Sequence, residues 1–128
     1  MNQAHSEQLA RQLAAIADSK KAEELLLLDM RELVAYTDFL VICTARNERQ
    51  ARAIVDEVRV QVKRDAGLLP GGVDAGGDAG WTIFDYLDCV LHVFTPEARE
   101  RYALEELWRD APRLELDFDA PEASSAAM

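Results

Sequence analysis

Trp81-Thr82-Ile83-Phe84-Asp85-Tyr86-Leu87-Asp88-Cys89-Val90-Leu91-His92-Val93-Phe94-Thr95-Pro96-Glu97 contains two apolar runs, an Asp-rich turn between them and a helix start directly after. Aromatic and β-branched residues fill both runs, so the pattern predicts strands over 81–86 and 89–94. The short turn allows them to pair as an antiparallel hairpin. Thr95 can cap the helix that follows, Pro96 suits its first position, and Glu97 complements the helix dipole. Leu104, Leu107 and Trp108 give that helix an apolar face, and Pro112 lies just beyond its end.

Upstream of the hairpin, Leu68 to Gly80 is rich in Gly and reads as a mobile connector. Before it, Asn47 to Ala66 carries strong helix signals. Asn47 can cap, and Gln50 stands three residues on, as in a capping box. Ile54, Val55, Val58 and Val62 form one stripe with Ala51, and Gly67 is a natural stop. Phe39 to Thr44 reads as a strand, and Leu25 to Met30 as a second one buried on both faces. Residues 6–18 read as a helix, with Leu9, Leu13 and Ile16 on one side. The resulting order is α-β-β-α-β-β-α. It implies an α/β domain with a mixed sheet of four or five strands and flanking helices. Residues 1–112 are expected to form this domain, and 113–128 an acidic, flexible tail. Within the tail Leu114, Leu116 and Phe118 alternate, as in a short strand or docking strip, and disorder is expected beyond Asp119.

A length of 128 residues suits one domain with its own core. No apolar run approaches a membrane span. Met1 to Gln8 is polar and lacks the order of a secretory signal, so the expected compartment is the cytoplasm. Cys43 and Cys89 both fall in predicted strands and read as small buried hydrophobes kept reduced. The net charge of −10 opposes extensive direct nucleic-acid binding, which needs cations to displace counterions from phosphates. A basic protein surface is the natural complement.

Reactive constellations are sparse. The Gly-rich segment lacks the Gly-Lys-Ser/Thr ending of a phosphate-binding loop and carries Asp74 and Asp78 instead. Asp85, Asp88 and His92 are close in sequence, as metal ligands can be. However, aspartate flanking a turn has a sufficient backbone reason, and His92 lies further along a strand. No serine sits on a strand-to-helix elbow, and strand cysteines beside His92 are expected to be inert. These residues predict no metal, no cofactor and no catalytic set. What remains is an apolar and aromatic patch at the hairpin: Trp81, Tyr86 and Leu87, with Tyr86 and Leu87 placed at the turn as partner-binding residues.

The chain resembles the ribosome silencing factor family, also called Iojap or RsfS. The resemblance rests on Tyr36-Thr37-Asp38-Phe39-Leu40-Val41-Ile42, on Arg49-Gln50-Ala51, and on Trp81 through Asp85. It continues through Asp88, His92-Val93-Phe94, Pro96-Glu97, Arg99, Tyr102, Leu104-Glu105 and Leu107-Trp108. Ala45-Arg46-Asn47 replaces the family's small residues after the second predicted strand, and Leu87 stands where the family has Gly. The family's Glu-Gly pair before Trp81 has only Asp74-Ala75 or Ala75-Gly76 as its counterpart. The resemblance implies a nucleotidyltransferase-like core without catalysis, homodimers, and binding to the large ribosomal subunit through ribosomal protein L-fourteen. Such binding blocks joining of the small subunit and represses translation. The expected contacts are Trp81, Asp85, Tyr86, Leu87, Asp88 and His92. The competing reading is a metal-dependent nucleotidyltransferase-like enzyme using Asp38, Asp85 or Asp88. The paired-aspartate spacing of such enzymes occurs here only at Asp117 and Asp119, in the tail.

Overall fold

Two buried strands, β2 (Phe39–Thr44) and β5 (Cys89–Phe94), run parallel through the centre of the sheet and organise everything else. All six residues of each are buried, which is why both read as continuous apolar runs. The structure, a computed structural model, describes residues 3–78 and 80–116. β1 (Glu23–Asp29) pairs antiparallel with β2, and β4 (Trp81–Asp85) pairs antiparallel with β5 as the predicted hairpin. β3 (Gly72–Asp78) pairs antiparallel with β4, giving a five-stranded sheet in the order β1-β2-β5-β4-β3.

β3 corrects the expectation of a mobile connector. Glycine is a poor strand former because it brings no side chain to pack. An edge strand can take its register from its neighbour's backbone, and the Gly71 N–H donates to the Asp85 carbonyl at 2.6 Å where the pairing begins. The register shifts between Asp74 and Asp78, in the Gly-rich stretch. Gly80 then takes φ 92, a left-handed value suited to glycine, and accepts a 2.8 Å bond from the Thr95 N–H.

α1 (Gln3–Ser19) and α2 (Glu48–Ala66) cover one face of the sheet. The α2 signals act as read: Asn47 Oδ1 accepts from the Gln50 N–H at 2.8 Å, and Gly67 closes the helix with φ 69. Gln50 Oε1 reaches back to the Arg46 N–H instead of that of Asn47. Leu13, Val41, Val58, Phe84 and Leu91 form the centre of the core on this side. Cys43 and Cys89 are buried there as free thiols. Burial pushes Cys43 up to about 12 and raises Cys89 as well, so neither is a thiolate at neutral pH.

The other face is covered only in part. Its core includes Met30, Leu40, Ile42, Phe94 and Ala98. Above it lie α3 (Pro96–Tyr102) and the four-residue α4 (Leu104–Leu107). One continuous final helix was expected, but it breaks at Ala103, which takes φ 44 and redirects the chain. The break is clamped by Arg99, only 6% exposed. Its Nη1 donates to Thr44 Oγ1 at 2.7 Å, its Nη2 to the Glu24 carbonyl at 2.9 Å, and its Nε to both Glu105 oxygens at 3.1 and 3.2 Å. One guanidinium thus joins α3 and the start of α4 to β1 and β2. Past α4, Arg113 bridges Leu28, while Leu114 and Leu116 pack on the α1 side of the core. Phe118, Asp117 and Asp119, named above for the tail, lie outside the described residues.

Candidate docking groove

Strand alternation decides which hairpin side chains meet. On β4, Trp81, Ile83 and Asp85 face the partly covered side, and on β5 so do Val90, His92 and Phe94. α3 and α4 leave a groove of about 480 Å³ beside these residues. Trp81, Asp85 and His92 line one part of it, and Leu104, Leu107 and Trp108 another. Leu87 closes it at the hairpin turn, and Tyr36 closes it from the loop before β2. Tyr36 is 65% exposed, and Leu87 and Leu107 are 68% exposed, so the rim is apolar and open to solvent. Among the described lining residues there is no Lys or Arg, and Asp85 supplies the one carboxylate.

The turn is held rigidly. Asp85 Oδ1 accepts from the Leu87 N–H at 2.7 Å, which fixes the turn locally. Leu87 takes φ 72, the left-handed region where its side chain is strained. The Asp88 carbonyl accepts from the Asp38 N–H at 2.8 Å, the Phe39 N–H at 3.1 Å and the Thr37 hydroxyl at 3.0 Å. The Thr37-Asp38 segment therefore ties the turn to the start of β2.

Trp81 is half-buried, with its ring centroid 4.5 Å from that of Tyr102 and 5.0 Å from that of Phe94. Its indole Nε1–H donates to His92 Nδ1 at 3.1 Å. Burial drives His92 down to about 4, against a smaller opposing pull from the Asp85 charge, so the ring is neutral at physiological pH.

Of the six residues expected to bind a partner, the structure brings Trp81, Asp85, Leu87 and His92 together in the groove. Tyr86 is corrected. It is 5% exposed, packs with the α1 and α2 core, and lies edge-on to Phe84 at 6.0 Å, so it adds nothing to the groove and only a small edge to the depression on the α1 side. The period-two alternation sends it to the face opposite Asp85. Asp88 lines a separate depression beside Ser6 and Leu9 of α1, on that same opposite side. Tyr36, Leu104, Leu107 and Trp108 were not singled out from the sequence as contacts, although all four stand in the strings that carry the family resemblance. Asp85 and Asp88 thus point into different depressions, and among the described residues no three His, Cys, Asp or Glu side chains group as metal ligands would. No helix of the described chain is long and apolar enough to cross a membrane.

Comparison with known proteins gives a consistent result. The family described as "Ribosomal silencing factor during starvation" matches residues 3–128. The chain is 37% identical over 105 residues to the ribosomal silencing factor RsfS of Bacillus subtilis, covering 82% of this chain and 88% of the relative. It is also 37% identical over 110 residues to the chloroplastic protein Iojap of Zea mays, covering 84% of this chain and 46% of that longer protein. Two crystal structures share the fold. One, from Chromobacterium violaceum, has a TM-score of 0.72 at 27% identity, covering 84% of this chain and 87% of that one. The other, from Bacillus halodurans, has a TM-score of 0.68 at 36% identity, covering 82% and 95%.

Proposed function

Because the chain belongs to the ribosomal silencing factor family, we propose that it represses translation by docking on the large ribosomal subunit through ribosomal protein L-fourteen and blocking the small subunit sterically. The observation that supports this most directly is the open apolar groove, with Asp85 as the one carboxylate among its described lining residues. A docking site of this kind takes its affinity from a few apolar anchors and its selectivity from a small number of polar groups. Leu87, Leu107 and Tyr36 are the exposed anchors; full burial of each leucine contributes about 1.5–3 kcal/mol. Asp85 is placed to meet a Lys or Arg of the partner. The acidic chain as a whole favours approach to a basic protein surface over bare RNA.

Blocking subunit joining requires position and bulk, not bond chemistry, and the relatives are named as silencing factors, not as enzymes. We assign the site of action to the cytoplasm, where subunits join. A homodimer is a second proposed assembly. Light scattering of wild type and Leu107→Asp decides whether the groove serves it too, since loss of the dimer in that variant places both partners on one surface.

The test of docking is cosedimentation with isolated large subunits, followed by addition of small subunits. The wild-type chain is expected to travel with large subunits and to reduce joined ribosomes. Leu107→Asp is expected to stay at the top of the gradient while keeping its circular dichroism. Unimpaired cosedimentation of that variant would remove the groove from the mechanism.

A further inference from the structure

His92 is only half satisfied by the fold. An indole N–H can only donate, so the 3.1 Å contact from Trp81 Nε1 requires a lone pair on His92 Nδ1. A neutral ring with its lone pair there carries its proton on Nε2. No described residue accepts from that Nε2, although His92 stands in the groove wall. A core histidine kept for packing alone would be expected to have both nitrogens partnered. Among the described residues Tyr86 Oη is the one fully buried side-chain polar atom left without a partner, so the unpartnered Nε2 of His92, a groove-lining residue, keeps some accessible surface.

The neighbouring chemistry narrows the class of acceptor. Asp85 pairs with Val90 and His92 with Ile83, so Asp85 and His92 are diagonal neighbours on one face, about 7 Å apart. The wall therefore presents a neutral donor beside an anionic acceptor. With Asp85 in place and no described Lys or Arg lining the groove, a carboxylate or phosphate would be repelled. A neutral acceptor next to a cation fits both groups.

We propose that His92 is the specificity-determining hydrogen-bond donor of the groove, its Nε2–H meeting a main-chain carbonyl that adjoins a Lys or Arg held by Asp85. This rests on the docking reading above. Trp81 acts through His92 as a positioning residue, because its N–H fixes which nitrogen carries the proton.

Two measurements test it. The chain has only His5 and His92, so long-range proton–nitrogen correlation spectra resolve the tautomer of each. The Nε2–H form is expected for His92, and an Nδ1–H form overturns the proposal whatever the ribosome data show. The second is affinity for large subunits by quantitative cosedimentation. His92→Asn keeps an acceptor at the Nδ1 position and loses the outward donor, and is expected to bind about tenfold more weakly. His92→Gln places an amide N–H near the Nε2 position and is expected to stay within about threefold of wild type. Wild-type affinity for His92→Asn overturns the donor role. So does a folded His92→Gln that is as weak as His92→Asn, and this arm remains decisive if His92→Asn fails to fold. A wild-type chain that does not bind large subunits at all overturns the docking reading, and the donor role with it.

Discussion

Replacing Arg99 by Met removes the side chain whose hydrogen bonds tie α3 and α4 to β1 and β2, and the structure sets the size of the effect. Methionine keeps much of the volume, so the change is mainly electrostatic. Three sets of bonds are lost: to Thr44 Oγ1, to the Glu24 carbonyl, and to the Glu105 carboxylate. Thr44 is buried, and each of the first two acceptors loses a charge-assisted bond whose net contribution, after the cost of keeping the guanidinium out of water, is about 1 kcal/mol. The Glu105 side chain is 25% exposed and can be partly rehydrated, so its charged bond contributes a further ~1–2 kcal/mol. The sum is about 3 kcal/mol. With a urea dependence of about 2 kcal/mol per molar, the unfolding midpoint drops by about 1.5 M. Arg99→Lys can reach only some of these acceptors and should lose about half as much. Because Leu104 and Leu107 stand on the clamped segment, Arg99→Met should also weaken large-subunit binding under conditions where it is still folded. A loss below about 0.5 kcal/mol, measured by urea titration at unchanged slope, would refute the clamp.

Other outcomes follow from single positions. Leu87→Gly relieves a left-handed backbone worth about 1–2 kcal/mol but frees the unfolded chain by about 0.5–1 kcal/mol. A net gain of about 0.5 kcal/mol should appear as a slightly higher melting temperature, together with weaker docking. Gly80→Ala places a Cβ against the Thr95 hydroxyl and 3.2 Å from the Ala98 Cβ, at φ 92; calorimetry should show a loss of about 2 kcal/mol. His92 has a folded value near 4, below its unfolded value near 6.5, so its contribution is complete above pH 6.5 and is lost as pH falls through 4. That contribution is about 3 kcal/mol, and urea midpoints between pH 7 and 4 should fall more steeply for wild type than for His92→Asn. Asp29, held low chiefly by its bond to Arg31, loses its own contribution only as pH falls below about 4, and does so in both proteins alike.

The features legible in the sequence were those written in strong local chemistry. The α2 cap at Asn47, its stop at Gly67, the buried runs 39–44 and 89–94 and the Thr95-Pro96 helix start all stand where the sequence reading put them. β3 escaped because its residues are poor strand formers, and its pairing comes from β4's backbone. The break at Ala103 escaped because alanine is the strongest helix former, and nothing local announces φ 44 there. Within the groove, Trp81, Asp85, Leu87 and His92 were readable from the hairpin. Tyr86 was placed wrongly, because its neighbour Leu87 is the exposed residue and alternation turns the tyrosine inward. Tyr36 and Leu107 were missed as contacts because their exposure depends on how a loop and a four-residue helix settle over the sheet. That is a tertiary outcome with no periodic signal.

The parallel pairing of β2 and β5 has a consequence for the birth of the protein. Each rung joins residues fifty positions apart, as between Phe39 and Cys89. At a synthesis rate of about 5–20 residues per second, β2 waits roughly 3–10 seconds for its central partner to be made. During that interval β1 can shield one edge of β2, while the other edge stays bare and apolar. The nascent chain is therefore most prone to misassociation after β2 has emerged and before β5 follows. Slowed elongation between these strands should lengthen that exposure, and a chaperone that binds extended apolar segments should engage the chain there.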